Sequence, residues 1–217
     1  MEAHSIRDQL SLWIGILKAI GIEVVALNHG SIGLGQLEQK VLRCRGCELY
    51  KSRKKVVFGE GNPQAELMFI GEAPGAEEDL QGRPFVGASG QLLTKMIKAM
   101  GLEREEVYIA NILKCRPPSN RDPNRWEIGS CLGHLKEQIR LIAPSIIVTL
   151  GRIASRVLLG LPEGESFTHI RGKWTEYEGI PLMPTYHPSY LLRNPEKKKE
   201  AWEDLKSVMK RMGKDVQ

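Results

Sequence analysis

No apolar run in this chain is long enough to cross a bilayer. The longest, Leu12 to Leu17, is followed by Lys18 and then Glu23, whereas a spanning helix needs about 20 mainly apolar residues. The sequence also lacks internal repeats and low-complexity linkers. No cationic stretch follows Met1-Glu2-Ala3-His4, so a secretory leader is not expected and a cytoplasmic protein is. Cysteine is scarce, with four in 217 residues, and a chain of this length builds a core without disulfide staples. Neither sign of charge dominates. Lysine and arginine number 31 against 26 acidic residues, a net charge of +5, which permits a polyanionic partner without demanding one. With 41% hydrophobic and 26% charged residues, disorder and collagen-like fibres are excluded. One domain over residues 1–217 is the natural expectation.

The four cysteines are Cys44, Cys47, Cys115 and Cys131. In a reducing compartment they point to metal ligation, redox work or inert burial. Cys44-Arg45-Gly46-Cys47 is a C-x2-C pair whose glycine lets both thiolates face one metal. A zinc ribbon would repeat that pair, and here the second two are dispersed. Dispersed ligands suit an iron–sulfur cluster, whose cage accepts thiolates from separate elements. A thioredoxin-like role fits badly, because no strand precedes the pair. Zinc and iron–sulfur both stay open on spacing alone, with two unrelated buried pairs as the alternative.

Amphipathic helices are expected over Arg7 to Ile20, Leu37 to Arg43, Gln91 to Met100 (with Ser89 as N-cap and Gly101 as stop), Pro123 to Leu141, Ile153 to Leu159 and Pro195 to Met212. Between them lie apolar runs, Leu67 to Ile70, Val107 to Ala110, Ile146 to Leu150 and Leu182-Met183, with a hairpin over Arg171 to Tyr177. Alternation of this kind predicts a three-layer α/β/α fold around a central, mainly parallel four-stranded sheet. Ligands of such sheets bind at the carboxyl ends of the strands. There the sequence delivers Gly71-Glu72-Ala73-Pro74-Gly75, then Asn111, then Gly151-Arg152 opening a helix, then Thr185-Tyr186-His187-Pro188-Ser189. A carboxylate, an amide, an anion-binding helix start and an imidazole would share one rim. Each has a bland reading as a cap or a solvated turn residue, but their convergence favours a site.

Several segments together resemble the family 4 uracil-DNA glycosylases, the iron–sulfur branch of the uracil glycosylase superfamily. They are Gly71-Glu72-Ala73-Pro74-Gly75-Ala76-Glu77-Glu78-Asp79, Gly82-Arg83-Pro84-Phe85-Val86-Gly87, Asn111-Ile112-Leu113-Lys114-Cys115-Arg116-Pro117-Pro118 and His187-Pro188-Ser189. The resemblance runs from about Leu37 to Arg193. It leaves residues 1–36 as an N-terminal helical extension matched by no motif. It implies a structural [4Fe–4S] cluster on Cys44, Cys47, Cys115 and Cys131. It also implies hydrolysis of the N-glycosidic bond of uracil in single- or double-stranded DNA by a monomer, and no segment marks a contact with a replication clamp.

In the implied mechanism the base is flipped out of the stack. His187 donates to the developing uracil oxyanion, and Asn111 matches the O4 and N3–H of uracil. Phe85 stacks on the ring, with Gly71 and Ala73 bringing backbone close to it. Glu72 positions water or stabilises the cationic sugar. Other branches carry an aspartate where this chain has Ala73, and a thymine-excluding tyrosine where it has Gly75. Glu78 is the candidate replacement for the latter. DNA contacts are expected from Gly151, Arg171, Lys173, Ser189 and Arg193, with Lys51 to Lys55 as a further basic run and Leu191 as a wedge into the vacated stack. The segment Pro118 to Pro123 lacks the inserted histidine loop of a branch that traps the abasic sugar. Two rivals remain: a nucleic-acid-binding module without activity, and an α/β enzyme taking a phosphorylated small molecule at the Gly151 helix.

Overall fold

Strand Leu67–Gly71 is buried at every position, and its side chains alternate between two separate cores. Leu67 and Phe69 join one, Met68 and Ile70 the other, as the two-residue period of a strand requires. Both faces of the sheet must therefore be covered by helices. The computed structural model describes residues 33–162 and 164–214, and they form one compact unit. The helix expected over Arg7 to Ile20, and most of the 1–36 extension, lie outside the described residues.

The sheet comprises β1 (Glu60–Gly61), β2 (Leu67–Gly71), β3 (Tyr108–Asn111), β4 (Ile146–Leu150), β5 (Thr175–Tyr177) and β6 (Ile180–Thr185), in the order β1-β3-β2-β4-β6-β5. The four inner strands are parallel and correspond to the four apolar runs. The count of four is corrected to six by two short antiparallel edges. β5 and β6 form a hairpin around Glu178 and Gly179, both at positive φ; glycine at the second turn position suits a type I′ turn.

The helices are α1 (Leu34–Leu42), α2 (Ala76–Gln81), α3 (Ala88–Ala99), α4 (Arg125–Ile142), α5 (Arg152–Leu159), α6 (Phe167–Ile170), α7 (Pro188–Arg193) and α8 (Lys198–Arg211). Leu135 and Ile139 of α4 and Ala154 and Leu158 of α5 pack in the Met68/Ile70 core. Leu93 and Ile97 of α3 and Leu205 and Val208 of α8 pack in the Leu67/Phe69 core. Three layers result, as the alternation predicts. α4 starts after Asn124, not at Pro123, because Asn124 and Glu127 exchange capping hydrogen bonds. α3 starts at Ala88, ahead of the expected Ser89 cap. The amides of Val86 and Gly87 are already bound by Glu78, so the chain turns into the helix earlier.

β2 leads on to β3 on one side and its other neighbour, β4, leads on toward β6 on the opposite side, so the connections from these two strands diverge. That switch point opens a crevice beyond the carboxyl ends of β2 and β4. No helix among the described residues is long and apolar enough to cross a membrane.

Candidate active site at the strand ends

A pocket of about 450 Å³ fills that crevice. Its walls come from the ends of all four inner strands: Glu72 and Ala73 after β2, Asn111 ending β3, Gly151 after β4 and His187 after β6. Beyond Gly71 and Glu72 the chain stays in register with β3's continuation, since the Ile112 and Leu113 amides donate to the Gly71 and Glu72 carbonyls at 2.9 and 3.0 Å.

Gly71 is the floor beneath the amide and the ring. A Cβ there would lie 2.5 Å from Asn111 Oδ1 and 2.5 Å from Phe85 Cζ, so only glycine lets both approach. Phe85 adopts a positive φ of 51°, and a Cβ on Gly90 would strike its carbonyl. Arg104 donates to the neighbouring Pro84 carbonyl and to Glu60. With Glu78 accepting from the Val86 and Gly87 amides on the other flank, the strained turn is held from both sides, which is the condition for such a conformation to persist. The Phe85 ring lies 5.6 Å from that of His187 at 35°. Asn111 is 2% exposed, and its Oδ1 is buried without a hydrogen-bond partner among the described residues. A buried acceptor left unmade is costly, so this atom is set up for a donor supplied from the pocket.

His187 accepts at Nδ1 from the Ser189 backbone amide at 3.1 Å, with Ser189 Oγ 2.8 Å away. An amide can only donate, so the ring proton sits on Nε2. Burial pushes the imidazole pKa down to about 4, with Arg193 acting the same way and Glu78 opposing. It is a neutral donor at neutral pH. Gly151, at φ +88°, lets β4 approach it; a Cβ would lie 2.8 Å from His187 Cβ. The Gly151 amide itself donates to Thr185 O, so it takes no phosphate.

Glu72 forms no side-chain hydrogen bond among the described residues. Burial, then the nearby Asp122 carboxylate, raise its pKa to about 7, while Arg152 pulls the other way. Asp122 and Arg152 pair at 3.0 Å across the pocket mouth. Arg152 stands at the helix start expected on this rim, whereas Asp122 was not expected from the sequence, and nor were Asn120 and Tyr190, which also line the pocket. Asp122 follows the strand ends by eleven residues of loop, and no pattern announces its return.

Glu78 lines the pocket, but its carboxylate accepts from three backbone amides: Gly75 at 3.1 Å, Val86 at 2.9 Å and Gly87 at 2.9 Å. It ties the loop after β2 to the Phe85 turn. Besides Gly151, two expected DNA contacts are corrected. Arg171 is bound to Asp204 by two hydrogen bonds of 2.7 and 2.9 Å and lies over the Tyr186 ring, so it braces α8 against the rim. Leu191 is 1% exposed and packed on Tyr186 and Ala201; Leu192, 43% exposed, is the residue that projects. Lys173 and Arg193 are exposed and Ser189 lines the pocket. Of the Lys51–Lys55 run, Lys51 pairs with Glu48 and Arg53 turns inward.

That inward turn leads to a second cavity, lined by all four cysteines together with Arg53, Lys114 and His134. Among the described residues no three His, Cys, Asp or Glu side chains converge at the spacing of a single ion, which would need sulfurs about 2.3 Å from one point. The cysteines line this one cavity, and their sulfurs collect donors. Arg53 Nη1 donates to Cys115 at 3.1 Å, the Lys114 amide to Cys131 at 3.3 Å and the Gly46 amide to Cys44 at 3.4 Å, while His134 Nε2 lies 3.3 Å from Cys44. Burial raises the free Cys131 thiol to about 11 and pushes Cys115 up as well. Four thiols around one cavity, three of them within reach of N–H donors, are a donor set that an iron–sulfur group can use.

Comparison with known proteins agrees with this geometry. The sequence model described as the Uracil DNA glycosylase superfamily matches residues 58–206. A Type-4 uracil-DNA glycosylase of Sulfurisphaera tokodaii is 49% identical over 183 residues, covering 81% of this chain and 83% of the relative. That of Saccharolobus solfataricus is 47% identical, covering 81% and 84%. That of Archaeoglobus fulgidus is 42% identical, covering 83% and 94%. The chain belongs to the uracil DNA glycosylase superfamily and, within it, to the type-4 uracil-DNA glycosylases.

Proposed function

We propose that the protein is a DNA repair hydrolase that releases uracil from DNA and leaves an abasic site. The observation that carries this reading is the buried, unpartnered Asn111 Oδ1 beside the Phe85 ring. Uracil flipped from the stack supplies the missing donor through N3–H, and the Asn111 NH2 donates to its O4. Cytosine offers the reverse pattern. The Phe85 ring stacks on the base.

As the C1′–N1 bond lengthens, negative charge collects on uracil and positive charge on the sugar. The neutral His187 donates Nε2–H to the uracil oxygen, and such a preorganised donor is worth about 10²–10³ in rate. Glu72, ionised in part near pH 7, lies on the pocket wall, where it stabilises the cationic sugar and accepts a proton from the attacking water. Phosphate contacts fall to exposed Arg193 and Lys173 with Ser189, and Leu192 takes the wedge role. Binding should therefore weaken steeply with salt.

The four-cysteine cavity is read as the seat of a structural [4Fe–4S] cluster on Cys44, Cys47, Cys115 and Cys131. When bound it would supply cross-linking between the segment after α1, the segment after β3 and α4, and no step of hydrolysis passes through it. The test is single-turnover release of base from otherwise identical oligonucleotides carrying uracil, thymine or cytosine. Release of uracil alone supports the assignment; no release, with binding intact, would favour a non-enzymatic module.

A further inference from the structure

Lys114 is 1% exposed, yet among the described residues none of the partners of its ammonium is a carboxylate. Nζ donates to the Asn111 carbonyl at 2.9 Å and to Gln138 Oε1 at 2.5 Å. Gln138 is fixed in turn by donating to Phe58 O and Tyr108 Oη. These acceptors are neutral. A buried charge without a counter-charge is expensive, and Lys114 lines the four-cysteine cavity, its backbone amide donating to Cys131 Sγ at 3.3 Å. Arg53 is the second cation on the same cavity, and it reaches Cys115 directly.

Four thiolates around a dicationic iron–sulfur core form a net dianion. We propose that Lys114 and Arg53 are the built-in counter-charges of that dianion, positioned to neutralise it, with Lys114 also joining the cluster site to the carbonyl of the substrate-binding Asn111. The inference rests on the cluster reading above and deepens it: the site is matched in charge as well as in ligand number. Fixed positive charge near a cluster favours the reduced form, so losing either cation makes reduction harder.

The experiment uses the full chain, wild type and the variants Lys114→Met and Arg53→Gln. Iron content and visible absorbance are measured first, then the midpoint potential by redox titration. Both variants should shift the potential negative, Lys114→Met further, because its charge is the more deeply buried. Where Lys114→Met fails to hold a cluster, Arg53→Gln, at a half-buried site, decides by the sign of its shift. Iron-loaded variants at the wild-type potential would overturn the proposal while leaving the cluster reading intact. Wild-type protein without iron would end both.

Discussion

The Ser189 backbone amide donates to His187 Nδ1 at 3.1 Å, and this one contact decides which nitrogen of the imidazole faces the pocket with a proton. The donor belongs to the first turn of α7, where Pro188 has no amide to offer, so His187 acts as the cap of its own helix. Tautomer and orientation are fixed by backbone. Ser189→Ala removes only the hydroxyl contact and should lower the single-turnover rate no more than a few-fold. His187→Ala should lower it about 10²–10³-fold. Equal losses in the two variants would mean that the hydroxyl, not the amide, holds the ring.

Glu72 sets the pH profile. Its folded pKa of about 7 lies above its ordinary value, so the single-turnover rate should rise with pH through that region with a one-proton slope. Glu72→Gln should be slow and flat over the same window. The stability consequence has the opposite direction. Between about 4.5 and 7 the folded state holds a proton that the unfolded state has lost, so stability falls as pH rises. Relief of that burden should make Glu72→Gln more stable than wild type above pH 7, by about 2 kcal/mol, measured by thermal melts at pH 5 and pH 8.

Gly71→Ala tests the floor of the pocket. The added methyl would overlap Asn111 Oδ1 and Phe85 Cζ, forcing one of them aside at a cost of about 1–3 kcal/mol in stability. Uracil release should fall at least about tenfold, since displacement of order 1 Å in a positioning contact costs up to about 10²-fold. A variant that melts lower but turns over at the wild-type rate would show that the Asn111–Phe85 geometry is not limiting.

Glu78 offers a choice between two roles. If it crowded the C5 position of the base, Glu78→Ala would admit thymine. Its three backbone donors instead make it the clasp between the β2 loop and the Phe85 turn. Glu78→Ala should therefore lose stability, about 2–3 kcal/mol for a charged acceptor serving buried amides, and lose uracil release without gaining thymine release.

The four parallel strands were legible because each is a short apolar run buried on both faces, and their ends were legible as a rim for the same reason. β1 and β5, two and three residues long, carry no such pattern and exist only through their neighbours. At the site, Glu72, Phe85, Asn111 and His187 follow strands or stand in a motif, and they share one pocket. Asp122 and Arg104 do not, because each reaches its place through a loop whose direction is set by tertiary packing. Arg171 misled for a related reason. A basic residue in a hairpin reads as a phosphate contact until Asp204, 33 residues onward, is seen to bind it. Leu191, preferred as the wedge, is buried by the helical phase of α7, which turns Leu192 outward instead.

Asn111→Asp is the most direct test of base recognition. With an acceptor in place of the amide donor, the variant should release cytosine from a cytosine-containing duplex at a measurable single-turnover rate, while its release of uracil drops. The wild type should release uracil alone. An Asn111→Asp protein that keeps the wild-type uracil rate and leaves cytosine untouched would contradict the pairing of the Asn111 amide with the O4 and N3–H of uracil.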